Sequence, residues 1–314
     1  MSLTEYSKTY VPQYHWAVDI CKHHEDVHWT ERDAKLQEDV EQWQRGVITP
    51  NEKSFIKNIL RLFTESDVNV GKNYFDFMIK VFKNNEVRNM LGSFACREGV
   101  HQRAYALLND TLGFGEEFYD EFHQFKEMSD KVEYMHTVSD KSYHDVAVSM
   151  GKQVFFEGVS LFSSFVMLMN FDRYGKMAGM SDIVRWSIRD ESIHIEGNTK
   201  LFREFIDEHP RIVNDEMKKE IYGAARDVVE LEERFIDRAF GGFQIEGITK
   251  EEMKQYIRHV ANYRLQQLGL KKNWDIEQNP IEWTDWIFKS THGNFFEREI
   301  TDYSKNNLVG EWVY

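Results

Sequence analysis

Cysteine and proline are scarce in this chain of 314 residues, which contains two cysteines and four prolines. Cys21 and Cys96 are too few to form a disulfide framework or a thiolate metal site, and their scarcity favours a reducing, cytoplasmic setting. Because little proline interrupts a sequence rich in Glu, Lys, Leu, Met and Phe, the composition favours helices over sheets. The sequence therefore predicts an all-α protein.

Basic residues are also in deficit, since 39 Lys and Arg face 53 Asp and Glu and the net charge is −14. Such an excess of negative charge repels nucleic acid and anionic lipid, so we expect neither as a partner. One apolar stretch, residues 146–171, is long enough to span a bilayer. It contains Lys152 and Glu157, and charges at such positions are costly in lipid, so we interpret it as a helix buried inside a bundle.

Hydrophobic periodicity and capping signals divide the chain into helices with no obvious linker between them. Thr49-Pro50-Asn51-Glu52 is a capping-box pattern with proline at the first helical position, and it predicts a helix that continues to about residue 71. Further helices are predicted at about 73–82, 86–112, 142–171, 181–209, 213–240 and 249–268, with a polar connection at 116–140. We divide the chain into an N-terminal arm (1–48), a helical domain (49–290) and an aromatic C-terminal tail (291–314).

The pattern Glu-x-x-His occurs twice in helical segments, as Glu98 with His101 and as Glu191 with His194. Residues three apart lie on the same side of a helix, about one turn along it, so the carboxylate and the imidazole point the same way. Two such pairs from two helices, completed by two further carboxylates, form the dinuclear metal site of ferritin-like four-helix bundles. The sequence predicts this fold and this kind of site.

Two more carboxylates are needed to complete the predicted site. Glu157 is the only acid in the core of the buried helix, and an unpaired buried glutamate costs several kcal/mol, so such a residue is normally paired or bound to metal. The fourth acid is expected from the helix before Glu98, where Glu65 and Asp67 are both candidates that the pattern does not separate. Oxygen and nitrogen donors suit iron, manganese or cobalt better than soft metals.

Tyr105 follows His101 by four residues and lies on the same helix face, about 6 Å further along the axis. A phenol next to a dinuclear metal site is a candidate for one-electron oxidation. The alternative is a core tyrosine whose hydroxyl has a hydrogen-bond partner.

These residues resemble a known family. Glu98-x-x-His101-x-x-x-Tyr105, Glu157 and Asp190-Glu191-x-x-His194 are similar to the small, radical-generating subunit of class I ribonucleotide reductase, and the resemblance extends from about residue 14 to the end. In that family an acid at the distance of Asp67 before the first helix glutamate completes the metal site, which implies Asp67 rather than Glu65.

The resemblance also implies a route for the radical. Val27-His28-Trp29 is similar to the segment that contains the tryptophan of this route, and Asp190 is suited to join His101 and Trp29 through hydrogen bonds. Residues 294–303 are similar to the family's C-terminal segment, whose tyrosine, here Tyr303, passes the radical to the large subunit. The tail would then bind that subunit.

The implied activity is that of a ribonucleoside-diphosphate reductase small subunit. Two metal ions per chain would react with an oxygen-derived oxidant, and the oxidising equivalent would be stored on Tyr105 or on the metals. Di-iron is the first choice, with dimanganese or mixed Mn/Fe as alternatives. The resemblance further implies a homodimer that works with the large subunit, and an activating flavoprotein is another candidate partner.

One position departs from the family, and two other readings remain open. Leu161 and Phe165 fit the bulky apolar positions near the tyrosine, but Ser187 stands where isoleucine is frequent, which predicts a more polar pocket. The alternatives are another ferritin-like oxidase, of the desaturase or ligand-binding type, and an iron-storage protein. Tyr105 together with Tyr303 counts against the first alternative, and the length of the chain counts against the second.

Overall fold

Side-chain caps set the start of the long helices. In the computed structural model, Thr49 accepts a hydrogen bond from the Glu52 amide at 3.3 Å, and the Glu52 carboxylate accepts one from the Thr49 amide at 2.8 Å. Thr249 and Glu252 form the same reciprocal pair at the start of the last long helix. Each cap satisfies amides that have no partner within the helix, so both predicted starts are confirmed.

The structure describes residues 2–6 and 8–287, without the side chains of Thr64, Glu65 and His123. The helices of this part of the chain are α1 His15–Asp26, α2 Gln37–Gln44, α3 Pro50–Asn73, α4 Ile79–Val81, α5 Asn85–Thr111, α6 Glu116–Asp120, α7 Lys126–Met135, α8 Tyr143–Phe155, α9 Phe162–Met169, α10 Ala178–Glu208, α11 Asp215–Phe240 and α12 Lys250–Gln267. These residues contain no β-strand, only an isolated antiparallel bridge between Ile245 and Ile248. The prediction of an all-α fold is confirmed.

The apolar stretch predicted as a buried helix lies in the middle of the bundle. Residues 143–174 are long and apolar enough to cross a membrane, but their apolar window is entirely buried by the rest of the protein. Between α8 and α9 the helix widens into a π-helical turn, Phe156–Ser160, which the sequence analysis did not predict. A second π-helical turn, Tyr74–Met78, connects α3 to α4.

The predicted polar connection at 116–140 is wrong in part, because it contains α6 and α7. Met128, Lys131 and Met135 of α7 are buried, and they recur at the spacing of one helix face. The low hydrophobicity of the segment hid this pattern, since its buried face includes a lysine.

The first residues of the chain cover one side of the bundle. α1 packs along α5, with Ala17, Ile20 and His24 buried, and Trp29 follows with 4 % of its surface exposed. The predicted tail, 291–314, including Tyr303, lies outside the described residues. The division into arm, domain and tail stays a prediction.

Candidate metal centre

Four elements bring the six predicted ligands into the core. Asp67 lies on α3, Glu98 and His101 on α5, Glu157 in the π-helical turn after α8, and Glu191 and His194 on α10. Each of the six has at most 1 % of its surface exposed. So many buried ionisable groups require compensation by opposite charge or by a cation.

The two histidines face the same two carboxylates. His194 Nδ1 lies 3.1 Å from Glu98 Oε1 and 3.5 Å from Glu191 Oε2. His101 Nδ1 lies 3.5 Å from Glu98 Oε2 and 3.4 Å from Glu191 Oε1. Each glutamate therefore presents one oxygen to each imidazole, and this arrangement suits carboxylates that bridge two cations.

Glu157 and Asp67 are the two predicted acids outside the Glu-x-x-His pairs. Glu157 Oε2 is 3.8 Å from His194 Nδ1. Burial raises the pKa of Asp67 well above its usual range, the charges of Glu98 and Glu191 add to this, and His101 opposes it. Asp67 therefore belongs to the same electrostatic cluster. The sequence pattern did not separate Glu65 from Asp67 as the fourth acid. Asp67 is described here, whereas the side chain of Glu65 lies outside the described part of the structure.

The polar atoms that face the centre lack ordinary partners. Within the described residues, Asp67 Oδ2, both carboxylate oxygens of Glu98 and of Glu191, and His194 Nδ1 make no hydrogen bond of acceptable geometry. One ligand atom each of Glu98, Glu191 and His194 lies within 4.8 Å of the others. Buried carboxylates without hydrogen bonds fit a site for metal cations, and this donor set suits iron or manganese.

Proton uptake by the imidazoles balances the carboxylates in the metal-free centre. Burial alone would lower the pKa of His194, but its contacts with Glu191 and Glu98 raise it to about 10. The same competition raises the pKa of His101 well above its usual range. Contacts with both histidines outweigh burial at Glu98 and lower its pKa to about 2. Metal ions would displace these imidazole protons, so metal binding should release protons.

The outer nitrogen of His101 contacts a charged network. His101 Nε2 lies 3.1 Å from Asp190 Oδ2, and the Trp29 indole donates to the same oxygen at 2.6 Å. Arg97 donates to Asp190 Oδ1 at 2.9 Å. The hydrogen bond and charge of His101 and the charge of Arg97 outweigh burial and hold the pKa of Asp190 below its usual range. The structure thus places Asp190 between His101 and Trp29, whose rings also stack at 5.9 Å.

The outer nitrogen of His194 contacts a residue that the sequence analysis missed. His194 Nε2 lies 3.2 Å from Nε2 of His24, whose Nδ1 is 2.7 Å from the Ser93 hydroxyl. Burial, aided by the charges of neighbouring groups, lowers the pKa of His24 to about 2, so this imidazole is neutral. The available signal was its position on the apolar face of α1, one turn after Ile20.

Three polar side chains hold the carboxylate of Glu157. Tyr74 donates to Glu157 Oε2 at 2.9 Å, Asn198 donates to the same oxygen at 3.3 Å, and Gln153 donates to Oε1. Burial is the main reason that the pKa of Glu157 rises to about 8. Tyr74 and Asn198 were also missed, because nothing in their local sequence distinguishes them from other core residues.

Tyr105 lies in an aromatic stack with one polar contact. Its ring stacks on Phe63 at 4.3 Å, and Phe63 stacks on Phe165 at 5.3 Å. The Tyr105 hydroxyl donates to Ser187 Oγ at 3.3 Å. The position at which the sequence departs from the family therefore contacts the tyrosine hydroxyl directly.

Comparisons with known proteins agree with this geometry. The family described as ribonucleotide reductase, small chain, matches residues 7–280. The probable ribonucleoside-diphosphate reductase small subunit of Invertebrate iridescent virus 3 is 34 % identical over 96 % of this chain and 85 % of its own length. The ribonucleoside-diphosphate reductase subunit beta of Chlamydia pneumoniae is 25 % identical over 93 % of this chain and 88 % of its own.

Solved structures show the same fold. The ribonucleotide reductase R2 subunit from Clostridium botulinum superposes with a TM-score of 0.82 at 22 % identity, covering 88 % of each chain. These matches support the ferritin-like fold and do not favour the desaturase-type alternative. On the family match and the relatives together, the chain belongs to the ribonucleotide reductase small chain family.

Proposed function

We propose that this chain generates and stores the radical of a class I ribonucleoside-diphosphate reductase. The observation on which the proposal depends is that Glu98 and Glu191 each present one oxygen to both His101 and His194, with Tyr105 one turn beyond His101 on the same helix. This arrangement combines a site for two metal ions with an adjacent oxidisable phenol.

The proposed ligands are the six residues of the buried cluster: Asp67, Glu98, His101, Glu157, Glu191 and His194. Their oxygen and nitrogen donors suit first-row transition metals. Di-iron is our first assignment, and dimanganese and a mixed Mn/Fe pair are the alternatives. When bound, the metal pair would supply a strong oxidising equivalent by reaction with an oxygen-derived oxidant, and an activating flavoprotein is a proposed further partner.

Tyr105 is the proposed site at which the oxidising equivalent is stored. Burial raises the pKa of its hydroxyl well above the usual value, and the charge of Asp67 adds to this effect. The phenol therefore stays protonated, and its oxidation requires that a proton leaves together with the electron. Ser187 uses its own proton to bond the Ile183 carbonyl at 3.0 Å. Asp67, the carboxylate that most affects the hydroxyl, is the proposed proton acceptor.

Trp29, Asp190 and His101 form the proposed inner end of the radical route. The hydrogen bonds from Trp29 and His101 to the same Asp190 oxygen couple movement of an electron to movement of a proton between these groups. The outer end is Tyr303, in the tail that we propose to bind the large subunit.

Reduction of the nucleotide itself is assigned to the large subunit. The chain has two free cysteines, of which Cys96 is exposed and Cys21 is half-buried. Both thiols line a surface pocket between α1 and α5, and Tyr105 is not among the residues that line this pocket. We propose a homodimer of this chain as the partner of the large subunit, with ribonucleoside diphosphates as substrates.

Metal analysis combined with electron paramagnetic resonance (EPR) tests the proposal. The oxygen-activated protein should hold two metal ions per chain and show an organic radical signal. Tyr105→Phe should keep both metals and lose that signal, because phenylalanine cannot form the phenoxyl radical. Removing the hydroxyl should cost only about 1 kcal/mol of stability.

Two results would contradict parts of this proposal. Normal two-metal stoichiometry in both Glu157→Ala and His194→Ala would show that the ligands are wrong. Full nucleotide reduction by Tyr105→Phe with the large subunit would place the oxidising equivalent on the metals instead.

A further inference from the structure

The π-helical turn that contains Glu157 has an unusual outer surface. A π-helical turn is wider than an α-helical turn, so its carbonyls leave the regular hydrogen-bond pattern of the helix. Two carbonyls of this turn, those of Gly158 and Ser160, each accept a hydrogen bond from a buried cationic side chain. The two cations come from different helices, α12 and α7.

Arg264 on α12 binds the first carbonyl. Its Nε donates to the Gly158 carbonyl at 3.1 Å, and its Nη1 donates to Gln267 Oε1 at 2.9 Å. Its guanidinium lies 5.0 Å from the centre of the Phe162 ring, and Arg264 as a whole residue has 1 % of its surface exposed. Within the described residues, no carboxylate lies within ion-pair distance of Arg264. This cation is therefore compensated mainly by the carbonyl, the amide and the aromatic ring.

Gly158 permits this close approach. A Cβ atom at position 158 would lie 2.6 Å from Arg264 Nε and 3.0 Å from its Cδ. Any other residue type would push the guanidinium away from the turn. The residue directly after Glu157 and the arginine on α12 thus fit each other.

Lys131 on α7 binds the second carbonyl. Its Nζ donates to the Ser160 carbonyl at 3.1 Å and to Glu232 Oε2 at 2.5 Å. The ammonium also lies 4.3 Å from the centre of the Phe235 ring. Glu232 is fully buried and accepts hydrogen bonds from the hydroxyls of Ser160 and Ser163. Both cations thus contact the outer side of the same turn.

Buried ions are a costly way to stabilise a core. Apolar residues of the same volume often give equal or greater stability, and in some proteins a buried ionic group is retained because it fixes a specific geometry. Here the geometry is that of the backbone on either side of Val159, immediately after Glu157. On the inner side, Tyr74, Asn198 and Gln153 already hold the carboxylate. The turn is therefore held from both sides.

We propose that Arg264 and Lys131 are positioning residues for Glu157. By binding the Gly158 and Ser160 carbonyls they fix the π-helical turn, and the turn fixes the direction from which the Glu157 carboxylate reaches the metal near His194. The inference depends on the proposed metal site, in which Glu157 is one ligand.

The test is titration of the metal-free full chain with Mn²⁺, in which EPR measures the free ion and gives an affinity for each of the two equivalents. The variants are Arg264→Gln, Gly158→Ala, and Lys131→Met combined with Glu232→Gln, which leaves no unpaired charge. In each variant one of the two equivalents should bind about 10–100-fold more weakly, the usual effect of removing an outer partner of a metal ligand.

Two matched controls lie on α8, in the same helical segment. Lys152 donates to the Thr137 carbonyl at 2.9 Å, which lies outside the turn, so Lys152→Met should leave both affinities unchanged. A Cβ at Gly151 would meet Ile221 at 3.3 Å and no cation, so Gly151→Ala should also bind both equivalents normally.

The outcomes separate positioning from general stability. If the folded variants bind both equivalents like the wild type, the proposal is overturned, even where the thermal unfolding temperature falls. If Arg264→Gln fails to fold, Gly158→Ala and the double variant Lys131→Met with Glu232→Gln test the proposal by the same Mn²⁺ titration. If Glu157→Ala itself binds both equivalents normally, Glu157 is not a ligand, and the positioning proposal is overturned together with that assignment.

Discussion

The two histidines of the candidate metal centre have the same inner neighbours and opposite outer ones. Nδ1 of each faces Glu98 and Glu191. On the outer side, His101 contacts the anionic Asp190 at 3.1 Å, whereas His194 contacts the neutral His24 at 3.2 Å. A carboxylate partner makes an imidazole a stronger metal ligand, whereas a neutral partner fixes its orientation without adding charge.

Because their outer partners differ in charge, His101 and His194 are suited to different roles. The charged side, with Asp190, Arg97 and Trp29, connects the metal centre to the proposed radical route. The neutral side ends at the Ser93 hydroxyl, 2.7 Å from His24. We therefore expect changes on the charged side to be the more damaging ones, and the following experiments test this expectation.

The largest effect is expected from Asp190→Asn. The change leaves Arg97 buried without its anion, and breaking a buried ion pair typically costs about 3–5 kcal/mol. It also removes the anionic partner of His101, so one Mn²⁺ equivalent should bind about 10–100-fold more weakly. Urea unfolding and Mn²⁺ titration give the two numbers.

Asp182→Asn is the matched control for this change. Asp182 is on the same helix, α10, and pairs with Arg185 at 2.6 Å, but its side chain is 45 % exposed. Loss of an exposed pair should cost about 0–1 kcal/mol. Equal losses of unfolding free energy in the two variants would show that burial does not increase the contribution of the Asp190 network to stability.

An intermediate effect is expected from His24→Ala. The change leaves His194 Nε2 and the Ser93 hydroxyl without their partner, at a cost of about 1–3 kcal/mol. His24→Gln retains an amide that can bond either group and should lose less. Urea unfolding of both variants, with half-buried His23→Ala as control, measures the difference. A loss of unfolding free energy as large as that of Asp190→Asn would contradict the expected difference between the charged side at His101 and the neutral side at His194.

The smallest effect is a difference in pH dependence. Because burial lowers the pKa of His24 to about 2 in the folded protein, the unfolded chain takes up a proton below about pH 6.5 that the folded chain does not. Stability is therefore lost as pH falls through the unfolded-state pKa. Between pH 7 and pH 5 the metal-free wild type should lose about 1–2 kcal/mol more than His24→Gln.

Parallel urea titrations at the two pH values measure this difference. Identical pH dependence in the two proteins would mean that His24 is protonated in the folded state, and hence that the side of His194 is also charged.

The sequence predicted the parts of the site that depend on local geometry. Glu98, His101, Glu191 and His194 follow from helix spacing alone, because residues three apart share a face whatever the tertiary structure. Glu157 was predicted because a single acid in an apolar helix needs a partner. The choice between Glu65 and Asp67 required the family resemblance, because both positions fit the helix pattern.

The residues that support the ligands were mostly not predictable. His24, Tyr74, Asn198 and Arg264 reach the centre or its π-helical turn only through tertiary packing. The two π-helical turns have no local sequence signal, although a glycine inside an apolar helix, Gly158, indicates a close approach. Asp190 and Trp29 were predicted only by resemblance, since their contact joins residues far apart in the chain.

Both histidines contact one short segment near the N-terminus, His194 through His24 and His101 through the stacked ring of Trp29. His24 and Trp29 lie on either side of Val27, whose carbonyl accepts from Arg97 and Arg189. If this segment detaches from α5 and α10 in a local opening, His194 loses its outer hydrogen-bond partner and His101 loses the stacked Trp29 ring at the same moment, while Asp190 remains on α10. Metal loss to a chelator and hydrogen exchange of the α1 amides should then share one opening rate, which makes the segment a kinetic barrier to metal release.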